Sequence, residues 1–100
     1  MPVRREIEIE ASPEEVWETI ATDEGRECWL GDGDAGREIL VEAAEAPTRL
    51  VWWWWEGDGD ATRVEFLVVP SPAGARVVVT EAAPAVPLAS LAAAFALAVA

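Results

Sequence analysis

The side chains that usually carry nucleophilic attack or proton transfer are nearly all missing from this chain. Its 100 residues contain no histidine, lysine or tyrosine. Cys28 and the serines therefore have no base to take their proton, and acid–base work falls to carboxylates alone. Beside Trp29 and without an imidazole, Cys28 reads as a buried structural thiol. Glu38, Glu42 and Glu65 fall on the outward side of alternating segments, which leaves Glu10, Glu81 or a loop aspartate to reach the mouth of a cavity. Asp32, Asp34, Asp58 and Asp60 sit in Gly-rich loops, but the ligand spacing and closing glutamate of an EF-hand loop are missing. Solvated turns are the simpler reading. No catalytic residue, metal site or cofactor is assigned, and an enzyme is the remote alternative.

What remains is aromatic. Trp52, Trp53, Trp54 and Trp55 are consecutive, and a β-strand sends successive side chains to opposite faces, so two indoles fall on each side of the sheet that holds them. If Leu50 points inward, Trp52 and Trp54 join the interior, and Val51, Trp53 and Trp55 lie on the other face. The inner pair reads as ordinary core or as a ligand lining. The outer pair, with Leu67 and Val78, makes either an apolar association patch or a surface covered by Arg63 and Arg76 through cation–π stacking.

The elements that must position these residues are legible in the spacing. Arg5 to Glu10 alternates with period two and points Ile7 and Ile9 inward. Ser12-Pro13-Glu14-Glu15 carries an N-cap, a proline at the first helical position and a capping box, opening a helix to about Ala21 with Trp17 as a core anchor. A second helix runs from Asp23 to about Leu30 despite Gly25. After a Gly/Asp loop come four strands: Arg37 to Ala43, with Ile39, Val41 and Ala43 on one face, Arg49 to Glu56, Thr62 to Val69, and Arg76 to Glu81. Pro70 to Gly74 breaks the last two apart. The final segment, Pro87 to Ala100, is an Ala-rich helix with Leu88, Leu91, Ala92, Phe95 and Val99 facing the sheet.

Composition bounds the partners. Nineteen acidic residues against seven arginines give a net charge of −12, which disfavours nucleic acid and anionic membrane. The final helix is too short and Ala-rich to span a bilayer. One cysteine excludes an internal disulfide, and the N-terminus lacks an apolar export signal, so a cytoplasmic setting is expected.

Several phrases in succession resemble the Hsp90-ATPase-activator-homologue branch of the START-like, SRPBCC superfamily. They are Ile7-Glu8-Ile9-Glu10-Ala11-Ser12-Pro13-Glu14-Glu15-Val16-Trp17, Trp29-Leu30-Gly31, Ala46-Pro47-Thr48-Arg49-Leu50-Val51-Trp52 and Val64-Glu65-Phe66-Leu67-Val68-Val69-Pro70. The resemblance covers nearly the whole chain, residues 1–100, as one domain. It implies an α+β helix-grip fold: a curved antiparallel sheet of about five strands wrapped on a C-terminal helix, with an apolar cavity between them. A strand pair usual in the family is missing around residues 31–37, and the last helix stops early, as in a shortened or truncated member.

Two functions follow from this reading. One is a non-enzymatic module holding a small hydrophobic molecule between sheet and helix, lined by Trp29, Trp52, Trp54, Phe66 and Phe95. The other is a protein-interaction domain, either a homodimer using Trp53 and Trp55 or the chaperone-regulating kind that the resemblance implies.

Overall fold

The computed structural model describes residues 2–30 and 37–99. It has five strands and three helices: β1 (Val3–Ile9), α1 (Pro13–Ala21), α2 (Asp23–Leu30), β2 (Arg37–Glu45), β3 (Arg49–Glu56), β4 (Thr62–Ser71), β5 (Gly74–Glu81) and α3 (Leu88–Val99). The strands form one antiparallel sheet in the order β1-β5-β4-β3-β2. Each neighbour pair except β1–β5 is joined by a local turn, so the long excursion through the helices returns β1 to the side of β5. The helices pack over one face of the sheet, giving the α+β helix-grip architecture.

Local chemistry sets the boundaries. Ser12 Oγ accepts from the Glu15 N–H at 3.2 Å, and Pro13 opens α1 where its missing N–H costs nothing. Only half of the capping box forms in its usual sense, because the Glu15 carboxylate accepts from the Ser12 hydroxyl at 3.3 Å. Pro70 to Gly74 does not end the pairing as expected. Ser71 pairs with Gly74 across a two-residue turn, and Gly74 takes φ +139°, a conformation open to glycine.

Gly25 has a specific reason to be inside a helix. A Cβ there would stand 2.5 Å from the carbonyl oxygens of Glu18 and Thr19, so α1 and α2 meet backbone to backbone. Gly25→Ala is expected to force the two helices apart and to cost about 1–3 kcal/mol as overpacking. A urea midpoint lowered at unchanged slope would show it, whereas a gain in stability from the better helix former would contradict the contact.

The inner face is a continuous core. Ile9, Leu50, Trp52, Trp54, Val64, Phe66, Val68, Val77 and Val79 are buried against Val16, Ile20, Trp29, Val86, Leu88 and Leu91 from the helices and the segment before α3. Ala92 and Phe95 are partly buried, and the side chain of Val99 lies outside the described residues. Trp17 is also only partly buried, while its neighbours Val16 and Ile20 are fully so. The apolar stripe of α1 centres on those two aliphatic residues and leaves the indole at its margin.

The face expected for β2 is corrected by a bulge. Ile39 pairs with Trp54 and Val41 with Trp52 on the inner face, but the register shifts between Val41 and Ala43. Ala43 is thereby set opposite Val51 on the outer face, and Ala44 takes the inner position beside Leu50. Val41 is inward yet 42% exposed, because β2 is the last strand of the sheet.

Candidate functional site

The inward tryptophans lie in one aromatic cluster. Trp52 and Trp54 project from the same face of β3, with ring centroids 5.6 Å apart. Phe66 on β4 stands 4.7 Å from Trp52, and Trp29 on α2 meets Phe66 edge-on at 6.4 Å. These are favourable aromatic geometries, in which a ring edge or tilted face meets the quadrupole of its neighbour. The Trp29 indole N–H donates to the Thr19 carbonyl at 3.0 Å, which fixes α2 against the end of α1.

Trp52 differs from Trp29 in one respect that matters. It is fully buried, and its Nε1 has no hydrogen-bond acceptor among the described residues. A buried donor left unpaired costs about 1–3 kcal/mol, so an orphan at the centre of an aromatic cluster calls for an explanation. Over the same indole, at 5.7 Å from the ring centroid, lies the guanidinium of Arg26. Arg26 is held there by the Ile20 carbonyl, at 3.2 Å, and by the carboxylate of Asp23. Sequence reasoning overlooked Arg26; the i, i+3 spacing from Asp23 was its available signal.

Among the described residues, three clefts open near the predicted ones. One of about 400 Å³ is bordered by Trp54, Trp55, Asp60, Thr62, Ala83 and Ala85, between the β3–β4 turn and the segment leading to α3. A second, of about 490 Å³ on the outer face, includes Trp53, Arg63 and Thr80. The third, a groove of about 750 Å³ among the three helices, holds Phe95 and Ala94 with Glu15, Glu18 and Cys28. Trp29, Trp52, Trp54 and Phe66 thus cluster, while Phe95 borders a groove on the helical side. Cys28 is exposed rather than buried, because Trp29 takes the inward position of the short helix α2.

The outer face is not the bare apolar patch its sequence suggests. Val51 is fully buried and Val78 nearly so, and Trp53 and Trp55 are half-buried. Trp53 Nε1 donates to Glu42 Oε1 at 2.8 Å, and Arg63 donates to both oxygens of the same carboxylate at 3.3 and 3.0 Å. Arg49 bridges Glu45 and Glu65 at 2.7 and 3.0 Å, and Arg76 pairs with Glu8 at 2.7 Å. Arg63 and Arg76 therefore cover this face as ion pairs. The cation–π contact among the described residues is the inner one, Arg26 on Trp52.

Arg63 and then the Trp53 N–H hold the Glu42 carboxyl below its ordinary value. Since the folded value lies below the unfolded one, this stabilisation is complete above the ordinary carboxylate range and drains away as pH falls through the folded value. Glu8 behaves the same way, through Ser71 first and then Arg76. Arg63→Gln is expected to move the Glu42 titration upward in a carboxyl-carbon NMR experiment. An unmoved titration would mean that the pair does not persist in solution.

The remaining acidic candidates are placed without a catalytic arrangement. Glu81 is buried and bonded to Arg5, and Asp58 and Asp60 are exposed in the β3–β4 turn. Asp32 and Asp34 lie outside the described residues. Among the described residues no three Asp, Glu or Cys side chains gather as a metal site. None of the described helices is long and apolar enough to cross a membrane.

A five-stranded antiparallel sheet covered by helices on one face, with an aromatic cluster beneath them, defines an α+β helix-grip fold. The chain superposes on the Aha1 dimer from Colwellia psychrerythraea with a TM-score of 0.71 at 18% identity, over 99% of this chain and 92% of that one. The AHSA1 protein from Silicibacter pomeroyi gives 0.70 at 18% identity over 98% and 99% of the two chains, and a protein from Mesorhizobium loti gives 0.69 at 20% over 98% and 85%. No protein-family model and no curated protein matches the sequence.

Proposed function

We propose that the protein is a non-enzymatic binding module for a small, largely apolar molecule bearing one hydrogen-bond acceptor. The observation that carries this reading is the N–H of Trp52, which lacks an acceptor among the described residues and is buried beside the rings of Trp54 and Phe66. A ligand carbonyl offers the acceptor that the described residues do not provide, and the rings of Trp54, Phe66 and Trp29 match an apolar body. The cleft that Trp54 borders, at about 400 Å³, is within the usual size of a small-molecule site and lies beside the cluster. Ile39 and Val41, inward on the edge strand and incompletely covered, extend the same apolar surface. Phe95 belongs to the reading less directly, as support on the helical side. A reducing cytoplasm suits the exposed thiol of Cys28.

The test is a matched pair of probes, naphthyl methyl ketone and ethylnaphthalene, titrated against tryptophan fluorescence. Saturable quenching with the ketone bound more tightly supports the reading. No saturable response to either probe rejects it.

A second reading, a homodimer through Trp53 and Trp55, is favoured by the dimer named among the similar structures and by the partial exposure of both indoles. Sizing with light scattering decides it, and a monomer at every salt concentration removes it. A chaperone-regulating role has only the likeness of fold behind it, and fold does not carry a site.

A further inference from the structure

We propose that residues 82–85, between β5 and α3, form a hinged strap that admits ligand to the cleft bordered by Trp54 and is held shut by a buried clasp of Glu81 and Arg5. The inference rests on the ligand reading and adds to it how the site is entered.

The strap is part of the cleft wall. Ala83 and Ala85 border the cleft together with Trp54, Asp60 and Thr62. Residues 82–85 are all exposed, whereas Val86, which follows them, is buried at 2% exposure and belongs to the core. Packing therefore anchors the end of the segment and leaves the stretch beside the cleft to be held by hydrogen bonds. Elements with few buried contacts open at the lowest free energy, and such segments commonly control access to a site.

The bonds that hold it converge on one carboxylate. Glu81 Oε1 accepts from Arg5 and from the Ala85 N–H at 2.9 Å, while Oε2 accepts from the Val86 N–H at 3.2 Å. The same Arg5 nitrogen donates to the Val86 carbonyl at 2.7 Å. Among the described residues no other hydrogen bond ties residues 82–85 to the fold. Losing the Ala85 bond alone frees the strap, and Val86, still bonded to Oε2 and seated in the core, is the hinge. Arg5 sets how readily this happens, because it fixes the oxygen to which Ala85 donates. The clasp is also incompletely satisfied, since Arg5 Nε is buried without an acceptor among the described residues. An unpaired buried donor raises the energy of the closed arrangement relative to one that lets water reach it.

The test follows naphthyl methyl ketone by stopped-flow tryptophan fluorescence in the wild type, Arg5→Gln and Arg5→Lys, with hydrogen exchange of Ala85 and Val86 measured without ligand. In Arg5→Gln the association and dissociation rates should both rise about fivefold with Kd nearly unchanged, the population shift expected from one net hydrogen bond. Ala85 exchange should quicken more than Val86 exchange. Arg5→Lys, which keeps a cation beside Glu81, should fall between the two, and it carries the test if the glutamine variant fails to fold. Faster Ala85 exchange with unchanged binding rates overturns the strap and leaves the ligand reading standing. So does a loss of affinity through dissociation alone, which is the mark of a fixed wall. No saturable response from the wild type rejects the ligand reading and the strap with it.

Discussion

Trp52→Ala is expected to lower the stability of the domain by about 3–5 kcal/mol, the range found when a fully buried large aromatic is truncated. Trp52 is fully buried between Trp54 and Phe66 and beneath Arg26, and it pairs across the sheet with Val64 and Val41. The surrounding β-branched side chains belong to a hydrogen-bonded sheet that cannot collapse into the space. Small domains are stable by only about 5–15 kcal/mol, so the loss removes a large part of the total. Trp52→Phe keeps a ring in the cluster and deletes an N–H that has no acceptor, so its cost should be smaller, about 1–2 kcal/mol. Urea midpoints at constant slope check both values. An alanine variant as stable as the phenylalanine one would mean that the cluster is not the packing centre.

The second large effect concerns Glu81, the one charged residue in the buried core among the described residues. It sits on the inner face at the end of β5 and accepts from the Arg5 guanidinium, from the Ala85 N–H at 2.9 Å and from the Val86 N–H at 3.2 Å. Arg5 also donates to the Val86 carbonyl at 2.7 Å, so this pair ties the segment before α3 to both β1 and β5. Glu81→Ala removes the acceptor for three donors at once and leaves a cation facing an apolar core. A loss of about 3 kcal/mol is expected, reduced from the fully buried case because Arg5 keeps access to water. Glu81→Gln retains one acceptor oxygen and should lose less. The local signature is faster hydrogen exchange at Ala85 and Val86 than elsewhere in the core. Uniform acceleration across the sheet would instead indicate a purely global effect.

The sheet was readable from sequence where a period of two meets a face that is covered along its whole length. Leu50, Trp52 and Trp54 on β3, Val64 and Phe66 on β4, and Val77 and Val79 on β5 all have neighbours on both sides, so alternation maps directly onto burial. The same reasoning failed on β2, where the strand is an edge and one extra residue, Glu42, moves Ala43 to the other face. No residue type in Val41-Glu42-Ala43 announces a bulge. Cys28 was misplaced because two adjacent residues of a short helix compete for one inward position, and the larger Trp29 takes it. On the outer face, apolar residues were legible but their cover was not. That Glu42 would hold Trp53 and Arg63 together depends on the bulge and on cross-strand register. The orphan indole N–H is likewise invisible in sequence, since it is a fact about the absence of a neighbouring acceptor.

The claim that the Trp52 N–H binds a ligand acceptor is tested most directly by titrating naphthyl methyl ketone and ethylnaphthalene against the wild type and Trp52→Phe, by calorimetry. This forms a cycle in which packing changes cancel between the two probes. The account predicts that the wild type prefers the ketone by about tenfold, in line with one buried hydrogen bond, and that Trp52→Phe binds both probes alike at nearly the wild-type affinity for the hydrocarbon. A ketone preference that survives in Trp52→Phe would contradict it.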